Sequence, residues 1–139
     1  MKTAYPALIK DDAGMYAVYI PDFDGYTEGE DFCDAIEMAR DYIGNAIVGP
    51  SGDEDNRPPI SSTQQAIEKA RDSESELDFS TGTVTFVDVD IEAHRAEVRN
   101  LSVKKNCTLP QWLEKKAEMA GLNFSQVLQE ALKERLKLA

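Results

Sequence analysis

The chain has 139 residues, enough for one ordinary domain or two small ones, and 42% of them are hydrophobic. Its mean hydropathy of −0.44 is typical of a soluble globular protein and excludes a disordered chain. The longest nearly uncharged apolar run, residues 13–21, is far shorter than the ~20 residues that a membrane span needs, so we expect a cytoplasmic protein without a membrane partner.

The net charge of −11 is distributed unevenly along the chain. Residues 1–97 carry 7 Lys+Arg against 22 Asp+Glu, whereas residues 98–139 carry 8 against 4. An acidic body joined to a basic tail predicts two partners of opposite charge, a basic partner for the body and nucleic acid for the tail. An acidic surface can also serve solubility alone, and charge does not distinguish the two.

Cysteine and histidine are too sparse to indicate a metal site or a disulfide framework. Cys33 and Cys107 lie far apart in the chain without a neighbouring Cys or His at ligand spacing, so we expect both to be reduced and partly buried. His94 is the single histidine, and it falls in a polar stretch where we expect a surface or linker side chain.

The N-terminal part begins with strand signals. Residues 3–10 and 15–20 are rich in aromatic and aliphatic side chains and are separated by Asp11-Asp12-Ala13-Gly14, a turn of hairpin length. A second turn around Pro21 and Gly25 precedes a possible short third strand at 26–28. These signals predict an antiparallel sheet.

Further elements then follow in the order helix, loop, helix and strand. They are a helix from Phe32 capped by Asp31, a loop over 49–59, a short helix from Ser61 or Ser62 to about Arg71, and a strand over 83–91. The apolar alternation in that strand shifts phase near Phe86, which is typical of a β-bulge. Residues 92–100 carry the change from acidic to basic composition, so we place the domain boundary there, with domains at 1–97 and 98–139.

The basic tail begins with a predicted strand over 101–110. At the period of two that a strand imposes, its polar side chains share one face, namely Lys104, Asn106 and Thr108. The other face is apolar apart from Lys105, and it carries Val103, Cys107 and Leu109. Pro110 ends the strand and suits the first turn of a helix.

Two helices complete the tail. The first is predicted from Pro110 to Ala120 with Gly121 at its C-cap, and it buries Leu113, Ala117 and Ala120. The second begins after Asn123, with Gln126 completing a capping-box pattern, and its apolar stripe contains Phe124, Val127, Leu128, Ala131, Leu132 and Leu136.

One strand and two helices are too few to close a hydrophobic core. We therefore predict that a second copy of the chain completes the core of the tail. The residues predicted for this dimer core are Val103, Cys107, Leu109, Val127, Leu128, Ala131 and Leu132.

The order strand, helix, glycine turn, helix resembles the ribbon-helix-helix repressors, in which two chains pair their strands into an antiparallel ribbon that enters the major groove. The resemblance implies that Lys104, Asn106 and Thr108 contact base edges of operator DNA. It also implies that the start of the second helix, at Asn123, Phe124 and Ser125, contacts phosphate. The alternative is a helical hairpin that serves oligomerisation alone.

The N-terminal motifs resemble those of the HicB family of antitoxins over residues 3–47. They are Tyr5-Pro6-Ala7, Ile20-Pro21-Asp22-Phe23-Asp24-Gly25, Glu28-Gly29-Glu30, and a helix bearing Ala35 and Ala39, with Tyr26 where the family often has cysteine. The resemblance implies an α+β protein, with a partial RNase H-like domain of antiparallel sheet and helices followed by the ribbon-helix-helix domain. It implies an antitoxin that occludes HicA, a small basic toxin that cleaves messenger RNA, and that represses its own operon as a homodimer or dimer of dimers.

Two other functions compete with this interpretation. A metal-dependent nuclease would use Asp22, Asp24, Glu28, Asp31 and Asp34 as Mg²⁺ ligands, but a turn and a helix N-terminus account for four of these carboxylates. A ligand-responsive repressor without a toxin partner would need a ligand motif, and the sequence offers no phosphate loop. We therefore expect no catalytic residue, no metal and no cofactor.

Overall fold

The computed structural model describes residues 1–100 and 105–138. By its internal contacts the chain divides into two compact units, Met1–Ser102 and Val103–Ala139. This division falls slightly later than the domain boundary expected after residue 97. Residues 101–104 of the predicted strand, which include Val103 and Lys104, lie outside the described residues.

The first unit is built on a four-stranded antiparallel sheet with the order β3-β2-β1-β4. The strands are β1 (Lys2–Asp12), β2 (Met15–Ile20), β3 (Gly25–Gly29) and β4 (Thr83–Asp90). The predicted hairpin of β1 and β2 is confirmed, and Ala13 and Gly14 connect the strands with φ of 54° and 89°. Positive φ at both central residues is the geometry of a type I′ turn, whose twist matches that of the strands.

The β-bulge predicted near Phe86 is wrong. The ladder between β1 and β4 runs without interruption from the pair Lys2 and Asp90 to the pair Ile9 and Thr83. The alternation shifts because Phe86 is a half-exposed apolar side chain on one face of the sheet, while Val87 and Val89 are buried on the other. The apolar residue on the more exposed face therefore produced a phase shift in the sequence pattern without any change of register in the strand.

The helix α1 (Phe32–Val48) covers one face of the sheet. Its buried residues pack against Tyr5, Val18 and other strand residues, and they are Ala35, Ala39, Ile43, Ile47 and Val48. The predicted N-cap is confirmed, because the Asp31 carboxylate accepts the Asp34 N–H at 2.7 Å. The packing of α1 on the sheet supplies the main hydrophobic core of the unit.

The helix α2 (Thr63–Arg71) covers part of the opposite face. Its Ala66 and Ala70 pack with Leu8, Tyr19 and Phe79 into a second, smaller core. A complete capping box starts this helix, in which the Ser62 hydroxyl accepts the Gln65 N–H and the Gln65 side chain accepts the Ser62 N–H. The unit is thus a sheet between two helical layers.

The polar stretch after β4 forms the helix α3 (Ile91–Arg99), which contacts α1. His94 is only 9% exposed, and its Nε2 lies 2.8 Å from Asn45 Oδ1 on α1, so the expected surface or linker histidine is wrong. The histidine is buried because Gly44 leaves room for the imidazole ring beside α1. The partial burial expected of the two cysteines is also wrong, since Cys33 and Cys107 are free thiols and both are exposed.

The second unit contains α4 (Gln111–Met119) and α5 (Phe124–Arg135). The predicted stop at Gly121 is confirmed: the residue has φ of 70°, and the following N–H of Leu122 donates to the Ala117 carbonyl at 3.1 Å. The described part of the chain contains no helix long and apolar enough to cross a membrane.

Candidate functional site

The apolar side chains of the second unit form an open face instead of a closed core. Leu113 of the first helix is 40% exposed, and Val127 and Leu128 of the apolar stripe are 42% and 40% exposed. Among residues 105–138, none is buried, and Ala117 alone is half-buried. The single chain therefore leaves the hydrophobic faces of both helices in contact with water.

These side chains line one groove of about 710 Å³. It includes five of the predicted dimer-core residues, Cys107, Leu109, Val127, Leu128 and Ala131. Leu132 lies outside the lining but is 52% exposed, and Val103 is outside the described residues. Leu113 and Ala117, which the first helix was expected to bury, also line this groove, and Ala120, expected to be buried with them, is exposed in the single chain.

Leu122, which neither predicted helix includes, also belongs to this face. Leu122 lines the groove directly after the Gly121 turn. A hydrophobic residue that follows a glycine C-cap often packs back on the helix that it ends, and this local signal could have identified it.

Within the described residues, the last part of the strand predicted before α4 does not form in the single chain. Residues 105–110 carry no regular secondary structure, and Asn106 and Thr108 are exposed. A β-strand requires hydrogen bonds to a neighbouring strand, and the described remainder of this unit is helical. Asn106 and Thr108 are therefore not placed on the face of a strand within the single chain.

The N-terminus of α5 has the predicted cap. Asn123 has extended backbone angles, and its Oδ1 accepts the Gln126 N–H at 3.1 Å. The N–H groups of Phe124 and Ser125 belong to the first turn, where the helix itself offers no acceptor. They are thus available to an external anion at the positive end of the helix dipole.

The predicted capping box at this position is wrong. The Gln126 side chain donates from Nε2 to Glu130 Oε1 at 3.3 Å, one turn further along α5, instead of accepting the N–H of Asn123. A glutamine at this position can bond either backwards or forwards, and an acidic residue at i+4 provides the forward partner.

In the first unit, Asp22 joins three parts of the chain that are far apart in sequence. Its side chain is 1% exposed, and it accepts the Ser61 N–H at 3.0 Å, the Ser61 hydroxyl, and the Lys69 ammonium at 2.9 Å. A buried carboxylate is stable only when donors compensate its lost hydration. Asp22 therefore fixes α2 to the turn between β2 and β3, a role the sequence did not reveal.

Three other carboxylates that a nuclease would use as Mg²⁺ ligands, Asp24, Asp31 and Asp34, also serve local structure. Asp24 accepts a 3.4 Å hydrogen bond from the Tyr19 hydroxyl, and Asp34 accepts the Glu30 N–H at 2.9 Å. Burial, followed by the charge of Asp24, raises the pKa of Tyr19 to about 12. Among the described residues, no three His, Cys, Asp or Glu side chains are grouped closely enough to hold a metal ion.

The family model for the HicB_like antitoxin of bacterial toxin-antitoxin systems matches residues 5–131. Comparison with curated protein sequences gave no match. The pattern that the family model detects covers most of both structural units.

Solved structures of similar architecture cover almost the whole chain. A chain of a toxin–antitoxin complex from Streptococcus pneumoniae is 26% identical, with 97% of this chain and 99% of that chain aligned and a TM-score of 0.59. The antitoxin HicB from Burkholderia pseudomallei is 22% identical over 97% of each chain, with a TM-score of 0.50. The antitoxin HicB3 is 25% identical over 96% of this chain and 97% of that chain, with a TM-score of 0.48. The four-stranded antiparallel sheet and its helices match this α+β architecture, and the chain belongs to the HicB-like antitoxin family of bacterial toxin–antitoxin systems.

Proposed function

We propose that this antitoxin neutralises a HicA-like toxin that cleaves messenger RNA, and that it also represses its own operon by binding operator DNA. The first unit, with a partial RNase H-like fold, binds the toxin, and the second is a ribbon-helix-helix domain. The messenger RNA that the toxin cleaves and the operator DNA that the antitoxin binds are both in the bacterial cytoplasm. The antitoxin acts there as a homodimer or a dimer of dimers.

The unpartnered apolar face of the second unit carries this proposal. Burying one aliphatic side chain of this size contributes about 1.5–3 kcal/mol, and several such side chains line the groove of the single chain. A second copy removes them from water, with Val103, Cys107, Leu109, Val127, Leu128, Ala131 and Leu132 in the shared core. The two 101–110 segments then provide each other with the neighbouring strand that each lacks.

The DNA contacts follow from the same dimer. The paired strands present Lys104, Asn106 and Thr108 on the polar face of the ribbon, where they meet base edges in the major groove. At each end of the ribbon, the N-terminus of α5 brings Asn123, Phe124 and Ser125 to a phosphate. The positive charge of residues 98–139 supports this orientation toward nucleic acid.

Toxin inhibition in this proposal is occlusion without chemistry. The carboxylates of Asp22, Asp31 and Asp34 accept hydrogen bonds that shape turns and helix ends, so their role is structural. The acidic first unit attracts a basic toxin through its summed field and covers the surface with which the toxin binds RNA.

A test combines the full-length antitoxin with the short basic protein that we expect from the neighbouring reading frame. Co-expression should restore growth, and the purified antitoxin should block RNA cleavage at a fixed stoichiometry. Gel-shift titration with the operon's promoter should show that Asn106→Ala binds more weakly than the parent, by about 1–3 kcal/mol for a lost base contact. A chain that binds the promoter but leaves the toxin active would instead be a repressor without a toxin partner.

A further inference from the structure

The two edges of the sheet differ in how their main-chain groups are used. The N–H of Ile91 donates to the carbonyl of Met1 at 3.0 Å, which fixes the alternation of hydrogen bonds along β1 and β4. The same alternation continues through the residue pairs of β1 with β2 and of β2 with β3. On β3 it directs the N–H and C=O groups of Gly25, Thr27 and Gly29 to β2. The N–H and C=O groups of Tyr26 and Glu28 therefore point away from the sheet.

The edge formed by β4 is blocked near its end. There the outward carbonyl of Asp88 accepts the Arg40 Nε–H at 2.8 Å, and the Asp88 carboxylate pairs with Arg40 Nη2 at 3.0 Å. The guanidinium from α1 thus occupies the position that an incoming strand would need. Charged side chains that cover an edge are a common protection against strand addition.

The edge formed by β3 has no such cover within residues 1–100. No side chain there bonds to the outward main-chain groups of Tyr26 or Glu28, and both side chains are exposed. The strand is nevertheless held firmly, because the glycines Gly25 and Gly29 let α1 lie directly on it, where a Cβ would collide with Tyr42 and the Ala35 backbone. The Tyr26 ring stacks on Tyr19 with centroids 4.9 Å apart.

The charge around the open edge selects its occupant. Between Lys10 and Arg40 the sequence has no basic residue, and its exposed acids there are Asp11, Asp12, Asp24, Glu28, Glu30, Asp31 and Glu37. Pairing of β3 with a second copy of itself would bring such acids together, and like charges across a strand pair are destabilising. A strand from a basic protein meets the opposite field and gains from it.

We propose that the β3 edge is the toxin-docking site, and that an edge strand of the basic toxin extends the sheet beside β3. Its main chain bonds to the outward N–H and C=O groups of Tyr26 and Glu28, in the mode of β-strand addition. The surrounding carboxylates accelerate the encounter, and the ordered edge lowers the entropic cost of pairing. This inference rests on the proposed function, because it locates the toxin on the first unit.

Proline substitution tests the strand pairing directly. Glu28→Pro removes one outward N–H donor, and proline is tolerated on an edge strand where the N–H faces solvent. Phe86→Pro is the matched control, because the Phe86 N–H points outward from β4 by the same alternation. Glu28→Ala removes the carboxylate and keeps the N–H.

The measurement is the affinity of the full-length chain for the purified basic toxin from the neighbouring reading frame. We expect Glu28→Pro to bind at least tenfold more weakly, with Phe86→Pro and Glu28→Ala within a few-fold of the parent. Amide hydrogen exchange of the parent should also slow at Tyr26 and Glu28, but not at Phe86, when the toxin binds. The exchange result stands even if a proline variant fails to fold.

Tight toxin binding with unchanged exchange at β3, or protection at β4 instead, would overturn the docking site and leave the proposed function intact. An equal loss for Glu28→Ala and Glu28→Pro would overturn strand addition, since the side chain would then account for the binding. A parent chain that does not bind the toxin would refute the proposed function itself.

Discussion

The two units of this antitoxin differ in where they keep their apolar side chains. The first unit buries aliphatic and aromatic residues on both faces of a four-stranded sheet, whereas no residue among 105–138 of the second is buried. The first has the layers that a domain needs to fold alone, and the second has only one side of a core. The comparison teaches that the first unit completes its hydrophobic core within one chain, whereas the described part of the second leaves its apolar side chains unburied.

The largest effect, on dimerisation and promoter binding, is expected from a charge placed in the open groove of the second unit. Leu128→Asp should abolish dimerisation at micromolar concentration and promoter binding with it, because a carboxylate in the shared core would lose its hydration without a partner. Sedimentation should show a monomer, while the thermal transition of the first unit persists. Gln129→Asp, at an exposed position outside the groove lining, should remain dimeric. A dimeric Leu128→Asp protein would contradict the difference between the units.

The converse change removes a large side chain from the core of the first unit. Ile43→Ala should destabilise that unit by about 2–5 kcal/mol, since Ile43 is fully buried between α1 and the sheet. Met38→Ala on the same helix should have a much smaller effect because Met38 is exposed. Urea denaturation should be followed by tyrosine fluorescence in a Trp112→Phe background, where the signal reports on the first unit alone because all five tyrosines lie in it. Equal losses for the two variants would show that the core assignment is wrong.

A smaller effect is expected at the carboxylate that fixes α2. Asp22→Ala should cost about 1–3 kcal/mol, because it leaves the Ser61 and Lys69 donors without their acceptor. Asp22→Asn keeps one acceptor oxygen and should lose less stability, with most toxin protection retained. Denaturation curves of the two variants should therefore separate. If they coincide with that of the parent, the three bonds contribute nothing measurable.

The smallest effect is a pH dependence confined to the first unit. The pKa of Tyr19 is raised from 10.0 to about 12 by burial and by Asp24, so the folded state holds the phenolic proton more tightly than the unfolded state. This contribution is complete below pH 10 and is lost as the pH rises toward 12. Tyr19→Phe should flatten the stability profile in that range. Burial also raises the pKa of Tyr5, so ultraviolet titration of Tyr19→Phe should lose one late-ionising tyrosine and keep that of Tyr5. A titration curve unchanged from that of the parent would contradict the assignment.

Local signals in the sequence predicted most elements of the fold. Asp31, Ser62 and Asn123 form helix N-caps, and Gly121 ends α4, because each acts on backbone groups within a turn of its own position. The hairpin followed from the turn sequence in the same way. The same kind of reasoning predicted an apolar face that a single chain leaves exposed, and the groove of the second unit confirms that exposure.

Other features depend on residues that are distant in the chain. His94 is buried because α3 returns to α1 beside Gly44, and Asp22 is buried because Ser61 and Lys69 reach it from the far side of a long loop. The blocked β4 edge likewise depends on where Arg40 lies relative to the sheet, and within residues 1–100 no such side chain covers the β3 edge. Sequence periodicity reports which face of an element is apolar, but the partner of a polar group is decided when the elements pack. The sequence by itself therefore determined the elements and the exposed apolar face, and only the tertiary structure decided which polar side chains are structural and which edge of the sheet is open.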